Sequence, residues 1–271
     1  MDRLLSTFSR KSPKFRSTFF KFWYQFLARV YRKDDWKFMN YGYAHLGDHN
    51  KVINLSEADE EFRYYIQLYD HLAGALDLSG KKVLEIGCGR GGGADYVKRY
   101  LNPEIMIGVD LSKNVVKLCN QKFDVEGLYF EEGNAESLPF PDNSFDVVLN
   151  IESSHCYSST NAFLAQVKRV LREDGYFLMA DFRRREAVDD LLEALRGSGL
   201  ALLKETDITQ NIIEALDLDS ERKTDLIKKS VHKSLVGFFN QFAGTNDSLI
   251  YDRFCCGETV YLSFVLQKQT A

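Results

Sequence analysis

The spacing of apolar residues changes along the chain. Between residues 15 and 31 (FRSTFFKFWYQFLARVY) it is helical: Phe15, Phe19, Phe22, Trp23, Phe26 and Val30 share one side of a wheel, widened by Phe20, Tyr24, Leu27 and Tyr31. Lys14, Thr18, Lys21, Gln25, Arg29 and Arg32 take the other side. Loop-like sequence containing Phe38-Met-Asn-Tyr-Gly-Tyr43 follows. A second helix is expected from about Ser56, a good N-cap, to Leu76, with Leu78-Ser79-Gly80 closing it. From Lys81 the apolar runs become short. Strands are expected at Val83–Ile86, Ile105–Val109, Leu128–Glu131, Phe145–Asn150 and Tyr176–Ala180, separated by amphipathic stretches ending near Tyr100, Phe123 and Leu171. This alternation predicts right-handed βαβ units and a parallel sheet with helices on both faces.

Further on, Glu186–Arg196 reads as a helix and Ala201–Glu205 as a strand. Helical periodicity returns over 207–240 through Ile208, Ile212, Ile213 and Leu216, and the run Thr259–Leu266 reads as a last strand. The pattern divides the chain into an N-terminal helical cap and lid (1–79), an α/β core (80–206), a helical insertion over the substrate (207–255) and a final core strand (256–271).

Composition narrows the class. Of 271 residues, 45% are hydrophobic, ample for a buried core and against general disorder. The formal charge of −4 hides an asymmetry: residues 1–33 hold nine Lys/Arg and one acidic residue, whereas the rest hold 26 basic and 38 acidic. A nucleic-acid partner is not expected, because no basic stripe extends beyond the N-terminus. The five cysteines, with no C-x-x-C pair, favour neither a disulfide framework nor zinc, and suit a reducing cytosol. No metal site is expected. The chain has no run of about 18 uninterrupted apolar residues to span a bilayer, and Lys21 interrupts any signal-peptide reading. A cytoplasmic protein is expected, with peripheral membrane contact through residues 15–31 as one role for the aromatic face. Closing a hydrophobic substrate pocket and packing on its own domain are the others.

The chemistry points to Val83-Leu-Glu-Ile-Gly-Cys-Gly-Arg-Gly-Gly-Gly93. A glycine-rich turn between a buried strand and a helix lets backbone N–H groups approach a polar ligand. Gly87-x-Gly89-x-x-Gly92 also matches a dinucleotide fingerprint, so a nicotinamide-dependent oxidoreductase is an alternative. Glu85, two residues before the first glycine, disfavours it, because the strand before such a fingerprint is ordinarily apolar. Asp110 ends the second strand, where a carboxylate accepts from ribose hydroxyls. Asn134-Ala-Glu-Ser-Leu-Pro-Phe140 follows the third strand, and Phe145-Asp-Val-Val-Leu-Asn-Ile-Glu152 forms the fourth.

This ordered set resembles the class I S-adenosylmethionine-dependent methyltransferases over about residues 80–183. The resemblance implies a Rossmann-like, seven-stranded, mainly parallel sheet with an antiparallel last strand. It implies that S-adenosylmethionine is held at its methionine end by Glu85, Gly87, Cys88, Gly89 and Gly91. Asp110 would hold the ribose, Leu111 would lie beside the adenine, and Asn134, Ala135 and Glu136 would hold the adenine. Asn150 and Ile151 would line the methionine end. The flanking Phe38–Tyr43, Glu152-Ser-Ser-His-Cys-Tyr157 and Phe242-Ala-Gly-Thr sequences resemble small-molecule and lipid methyltransferases, above all the phthiotriol and phenolphthiotriol dimycocerosate enzymes.

Methyl transfer to a hydroxyl of an apolar small molecule or lipid is therefore expected, with carbon or nitrogen acceptors and a non-catalytic cofactor-binding subunit as alternatives. His155, just past the fourth strand, is the expected general base, with Glu152 orienting it or lining the cavity. A pocket-lining histidine is the other reading. Tyr41 and Tyr43 either close over the sulfonium or simply pack on the core. His45 and His49 are further basic groups in the same N-terminal stretch. Asp110 has a second reading as a helix cap, and Glu136 as a loop carboxylate.

Overall fold

The computed structural model describes residues 36–47, 53–230, 233, 236–246 and 248–270. The aromatic stretch 15–31 and His49 lie outside the described residues. Seven strands form one sheet: β1 (Lys82–Ile86), β2 (Ile105–Asp110), β3 (Leu128–Glu132), β4 (Phe145–Ile151), β5 (Leu171–Arg184), β6 (Ala201–Asp207) and β7 (Thr259–Gln267). Their order is β3-β2-β1-β4-β5-β7-β6. β7 runs antiparallel to β5 and β6, and the remaining pairs are parallel. β1 lies between β2 and β4, so the strand order reverses there, and ligands of open α/β sheets bind at that carboxyl-end crevice.

Alternation along β1 builds a core on each face. Val83 packs with Leu68, Val97, Leu149 and Leu178, whereas Leu84 and Ile86 pack with Val148, Phe163 and Phe177 on the other side. Each such side chain, when fully buried, contributes about 1.5–3 kcal/mol. Glu85 shares the Val83 side, facing helix α2, and is wholly buried.

The helices preceding β1 are α1 (Glu57–Glu60) and α2 (Arg63–Ala73). The single helix expected from Ser56 to Leu76 is therefore broken, and it ends three residues early. Phe62 at the break is drawn into the core against Phe38, with ring centroids 5.6 Å apart. Ser56 does not cap through its side chain. Its hydroxyl donates to buried Asp59 (2.9 Å), which also accepts from Arg99 and Tyr100.

The crossover helices are α3 (Gly92–Leu101), α4 (Lys113–Lys122), α5 (Thr160–Val170) and α6 (Val188–Gly197). Between β6 and β7 the chain inserts α7 (Thr209–Ser230), α8 (Val236–Ala243) and α9 (Leu249–Cys255). The start of α7 is pinned to β7: Ile208 N donates to Tyr261 O (2.9 Å), and Tyr261 N donates to Thr209 Oγ1 (2.9 Å). Among the described residues, no helix is long and apolar enough to cross a membrane.

Candidate active site

The turn after β1 folds back on the end of β2. Gly87 N and Cys88 N both donate to Val109 O, at 2.8 and 3.0 Å. Gly89 N donates to Asp110 Oδ2 (3.2 Å), and Ser112 N to Asp110 Oδ1 (2.8 Å). Gly87 has φ 78°, and a Cβ there would overlap Ser153 and lie 3.0 Å from Tyr157 OH, so the turn needs glycine twice over. Burial pushes Asp110 up to about 6, against the pull of the Ser112 and Gly89 amides. Asp110 is thus a clasp for the turn, at the carboxyl end of β2 beside the crevice. Leu111 beside it is exposed.

Two buried acceptor atoms beside this turn have no hydrogen-bond donor among the described residues. Glu85 Oε1 accepts from Tyr69 OH (2.7 Å), while its Oε2 has no hydrogen-bond partner among the described residues. Burial raises Glu85 to about 7; Tyr69 opposes that and Asp110 adds to it. Asn150 Nδ2 donates to Ile86 O (2.8 Å) and Tyr157 OH (2.9 Å), leaving Oδ1 unmatched. Unsatisfied buried acceptors are costly, and a cationic amine such as that of a methionine group satisfies both kinds. The donor set therefore fits S-adenosylmethionine. Ile151 is buried at the end of β4, next to Asn150.

Past β3, Asn134 Oδ1 accepts from Glu136 N (3.0 Å) in a tight turn that buries Ala135. Glu136 Oε1 accepts from Ser158 N (2.6 Å) and Ser159 N (3.1 Å), tying this loop to the start of α5. The Glu136 carboxylate thus has a structural task.

Past β4, Glu152 and His155 take different partners. Glu152 Oε1 accepts from Tyr41 N (2.7 Å) and Tyr261 OH (3.0 Å), at a residue held in the left-handed region (φ 46°). Burial raises Glu152 to about 8, against the Tyr41 amide and the Tyr261 hydroxyl. His155 is oriented by Asp181 on β5, not by Glu152. Its Nδ1 lies 2.8 Å from Asp181 Oδ1, its backbone N donates to Oδ2 (2.9 Å), and its ring packs on Phe182 at 4.4 Å. Asp181 is wholly buried, accepts from Ser154 Oγ (2.6 Å) and pairs with Arg183 (3.1 Å). Burial works against a charged imidazole, but Cys156 and Asp181 outweigh it and hold His155 up at about 10. The same neighbours, chiefly His155 and Arg183, overcome burial to hold Asp181 below the usual carboxylate range.

The N-terminal stretch straps this region. Gly92 N donates to Lys37 O (3.2 Å), and Arg90 Nε to Trp36 O (2.6 Å). Tyr41 packs against Phe182 and Phe254, at 5.6 and 5.8 Å. Tyr43 instead sits between His45 and His71, stacking on the latter at 4.5 Å, so it packs against α2. Asp181, Tyr69, Tyr157 and Tyr261 escape sequence reasoning. The only signal for Asp181 is an acid at the end of an apolar strand run.

Residues 84–179 match the family model described as a methyltransferase domain. The chain is 36% identical to the phthiotriol/phenolphthiotriol dimycocerosates methyltransferase of Mycobacterium tuberculosis, covering 92% of this chain and 91% of that one. It is 42% identical to the fatty-acid O-methyltransferase of Mycolicibacterium smegmatis, covering 72% and 70%. The crystal structure of the [4+2]-cyclase SpnF superposes with a TM-score of 0.68 at 19% identity, covering 93% and 95%. At that identity the likeness shows the fold alone. With full-length relatives, the domain match and a donor set suited to the cofactor, the chain belongs to the class I S-adenosylmethionine-dependent methyltransferases.

Proposed function

We propose that the enzyme methylates a hydroxyl oxygen of an apolar, lipid-like acceptor. The names of its relatives support the acceptor class: one is a phthiotriol/phenolphthiotriol dimycocerosates methyltransferase, another a fatty-acid O-methyltransferase. The observation that carries the reaction is the His155–Asp181 pair at the end of β4.

When bound, S-adenosylmethionine supplies a methyl group already activated on a sulfonium. The protein's task is then alignment, exclusion of water and removal of one proton. Glu85, Asn150 and the Gly87–Gly91 turn would hold the methionine end, and Asp110 the ribose. Tyr41, Phe182 and Phe254 form the apolar wall on the acceptor side. An aliphatic alcohol stays protonated at neutral pH, so a base must accept its proton as the new bond forms. With Nδ1–H directed to Asp181, neutral His155 carries its basic lone pair on Nε2, and Asp181 stabilises the imidazolium that results.

His155→Ala tests this. Turnover on an apolar alcohol should fall by ~10²–10⁴, with cofactor affinity nearly intact. A rise in KM with turnover preserved would make His155 a pocket wall and remove the base from the mechanism.

A further inference from the structure

Helix α7 buries a lysine beside the acceptor side of the site. Lys223 is 4% exposed. Its nearest carboxylate, Asp219, is already engaged by Arg222, which donates from Nε to Oδ1 (2.6 Å) and from Nη2 to Oδ2 (2.7 Å). Lys223 Nζ stands 3.8 Å from Asp219 Oδ2, beyond hydrogen-bond reach. Its hydrogen bond to Tyr41 O is long, at 3.4 Å, and its third neighbour is the Tyr65 ring at 5.2 Å. An ammonium has three N–H donors, and these neighbours satisfy them poorly. Two cations here share Asp219, and the other carboxylate that acts on Lys223, Glu152, is held mostly protonated at neutral pH by its burial, so the cluster carries an excess of positive charge.

The position is as telling as the charge. The Tyr41 carbonyl meets Lys223, and its N–H meets Glu152. The Tyr41 ring rests on Phe182, which covers His155. One residue therefore separates Lys223 from the groups at the end of β4. The residues suited to the cofactor come from β1, β2 and β4 and the turns that follow them.

We propose that Lys223 binds a carboxylate, and that the acceptor is an apolar acid whose anionic head it holds. Burial pushes the Lys223 ammonium down to about 8, with Asp219 opposing the shift, so the cation persists at neutral pH and is one that an anion would stabilise. The source of the carboxylate as an acceptor rests on the methyl-transfer reading above. The test therefore reads binding and not turnover.

Calorimetry would compare wild type, Lys223→Met and Lys223→Arg, using dodecanoate, 1-dodecanol and the demethylated cofactor S-adenosylhomocysteine as probes. Wild type should bind dodecanoate at least about tenfold more tightly than dodecanol, the scale of one charge-assisted hydrogen bond. Lys223→Met should erase that preference while keeping affinity for dodecanol and S-adenosylhomocysteine, and Lys223→Arg should retain it. Loss of S-adenosylhomocysteine affinity alone in Lys223→Met would assign the carboxylate to the cofactor's amino-acid end. No acid preference in wild type, or the same preference in Lys223→Met with S-adenosylhomocysteine binding unchanged, overturns the proposal. If Lys223→Met fails to fold, Lys223→Gln replaces it, and the wild-type preference still decides. A separate assay with 12-hydroxydodecanoate, which carries both a carboxylate and a hydroxyl, tells the two readings apart: acid-selective binding with no methyl ether formed would sink the proposed reaction and leave Lys223 its role.

Discussion

Asp181 grips His155 twice, through Nδ1 at 2.8 Å and through the backbone N–H at 2.9 Å. The double contact fixes both the ring's tautomer and the place where the chain turns after β4. It also raises the affinity of the imidazole for a proton. A base held up at about 10 is active only in its neutral fraction, so turnover on an alcohol should rise with pH beyond neutrality. Asp181→Asn removes the buried negative charge and should move the midpoint of that profile to lower pH, while lowering turnover. Rate profiles between pH 6 and 10 decide this. An unmoved midpoint would mean that the rate reports some other group.

Asp110 should couple cofactor affinity to pH. In the proposed role on the ribose, the carboxylate and not the acid would accept two hydrogen bonds, and burial raises its pKa to about 6. Affinity for S-adenosylhomocysteine should therefore rise between pH 5 and 7. Asp110→Asn should flatten that dependence and cost ~1.5–3 kcal/mol at pH 7.5, tenfold or more in Kd. Calorimetry across this range is the check. An unchanged Kd takes Asp110 out of the site.

Gly87→Ala should damage both the turn and the cradle. The substitution imposes a left-handed backbone on alanine and drives its methyl into Ser153. Strain of this kind costs about 1–3 kcal/mol before any steric shift is added. Thermal unfolding should move down by several degrees and cofactor binding should weaken. A variant with wild-type melting and affinity would show that the turn relaxes freely.

Glu152 makes stability depend on pH in the opposite sense to an ordinary surface carboxylate. Its pKa rises from 4.5 to about 8 in the fold, so between those values the folded chain holds a proton that the unfolded chain has lost. Its contribution is complete below about 4.5 and disappears as pH rises through about 8. Glu152→Gln keeps an acceptor for Tyr41 N but cannot ionise. Its melting temperature relative to wild type should climb by a few degrees between pH 6 and 9. Parallel curves would place a charged Glu152 in the fold throughout.

What the sequence exposes is local. The turn after β1, Asp110 and the residues past β4 follow from strand runs bounded by glycine and acid, because turn chemistry and period-two burial act over a few residues. The parallel direction of β1 to β5 follows from the same alternation, whereas the antiparallel last strand is legible only through the family resemblance. Asp181 stays hidden, since its partner lies 26 residues away across two strands and its neighbours Phe182 and Arg183 look like an ordinary strand end. Tyr69 and Tyr261 look like core aromatics until their hydroxyls are seen on Glu85 and Glu152. Lys223 follows Arg222 in a helix whose charged positions suggest a solvated face, and only the packing of Tyr41 and Tyr65 buries it. The broken helix around Phe62 is another long-range effect, because a core contact overrides local propensity there.

The strap formed by residues 36–44 has a consequence for how the enzyme is made. Its anchors are Arg90 and Gly92, then Glu152, Asn211 and Lys223, where Ala44 exchanges hydrogen bonds with Asn211 at 3.0 and 2.8 Å. These are contacts between residues far apart in the chain, and closing such loops slows folding. During synthesis the strap emerges long before its last anchors, so it cannot be fastened until the insertion helix has left the ribosome. The βαβ core can assemble as it appears, whereas the acceptor end of the site is completed only after nearly the whole chain has been translated.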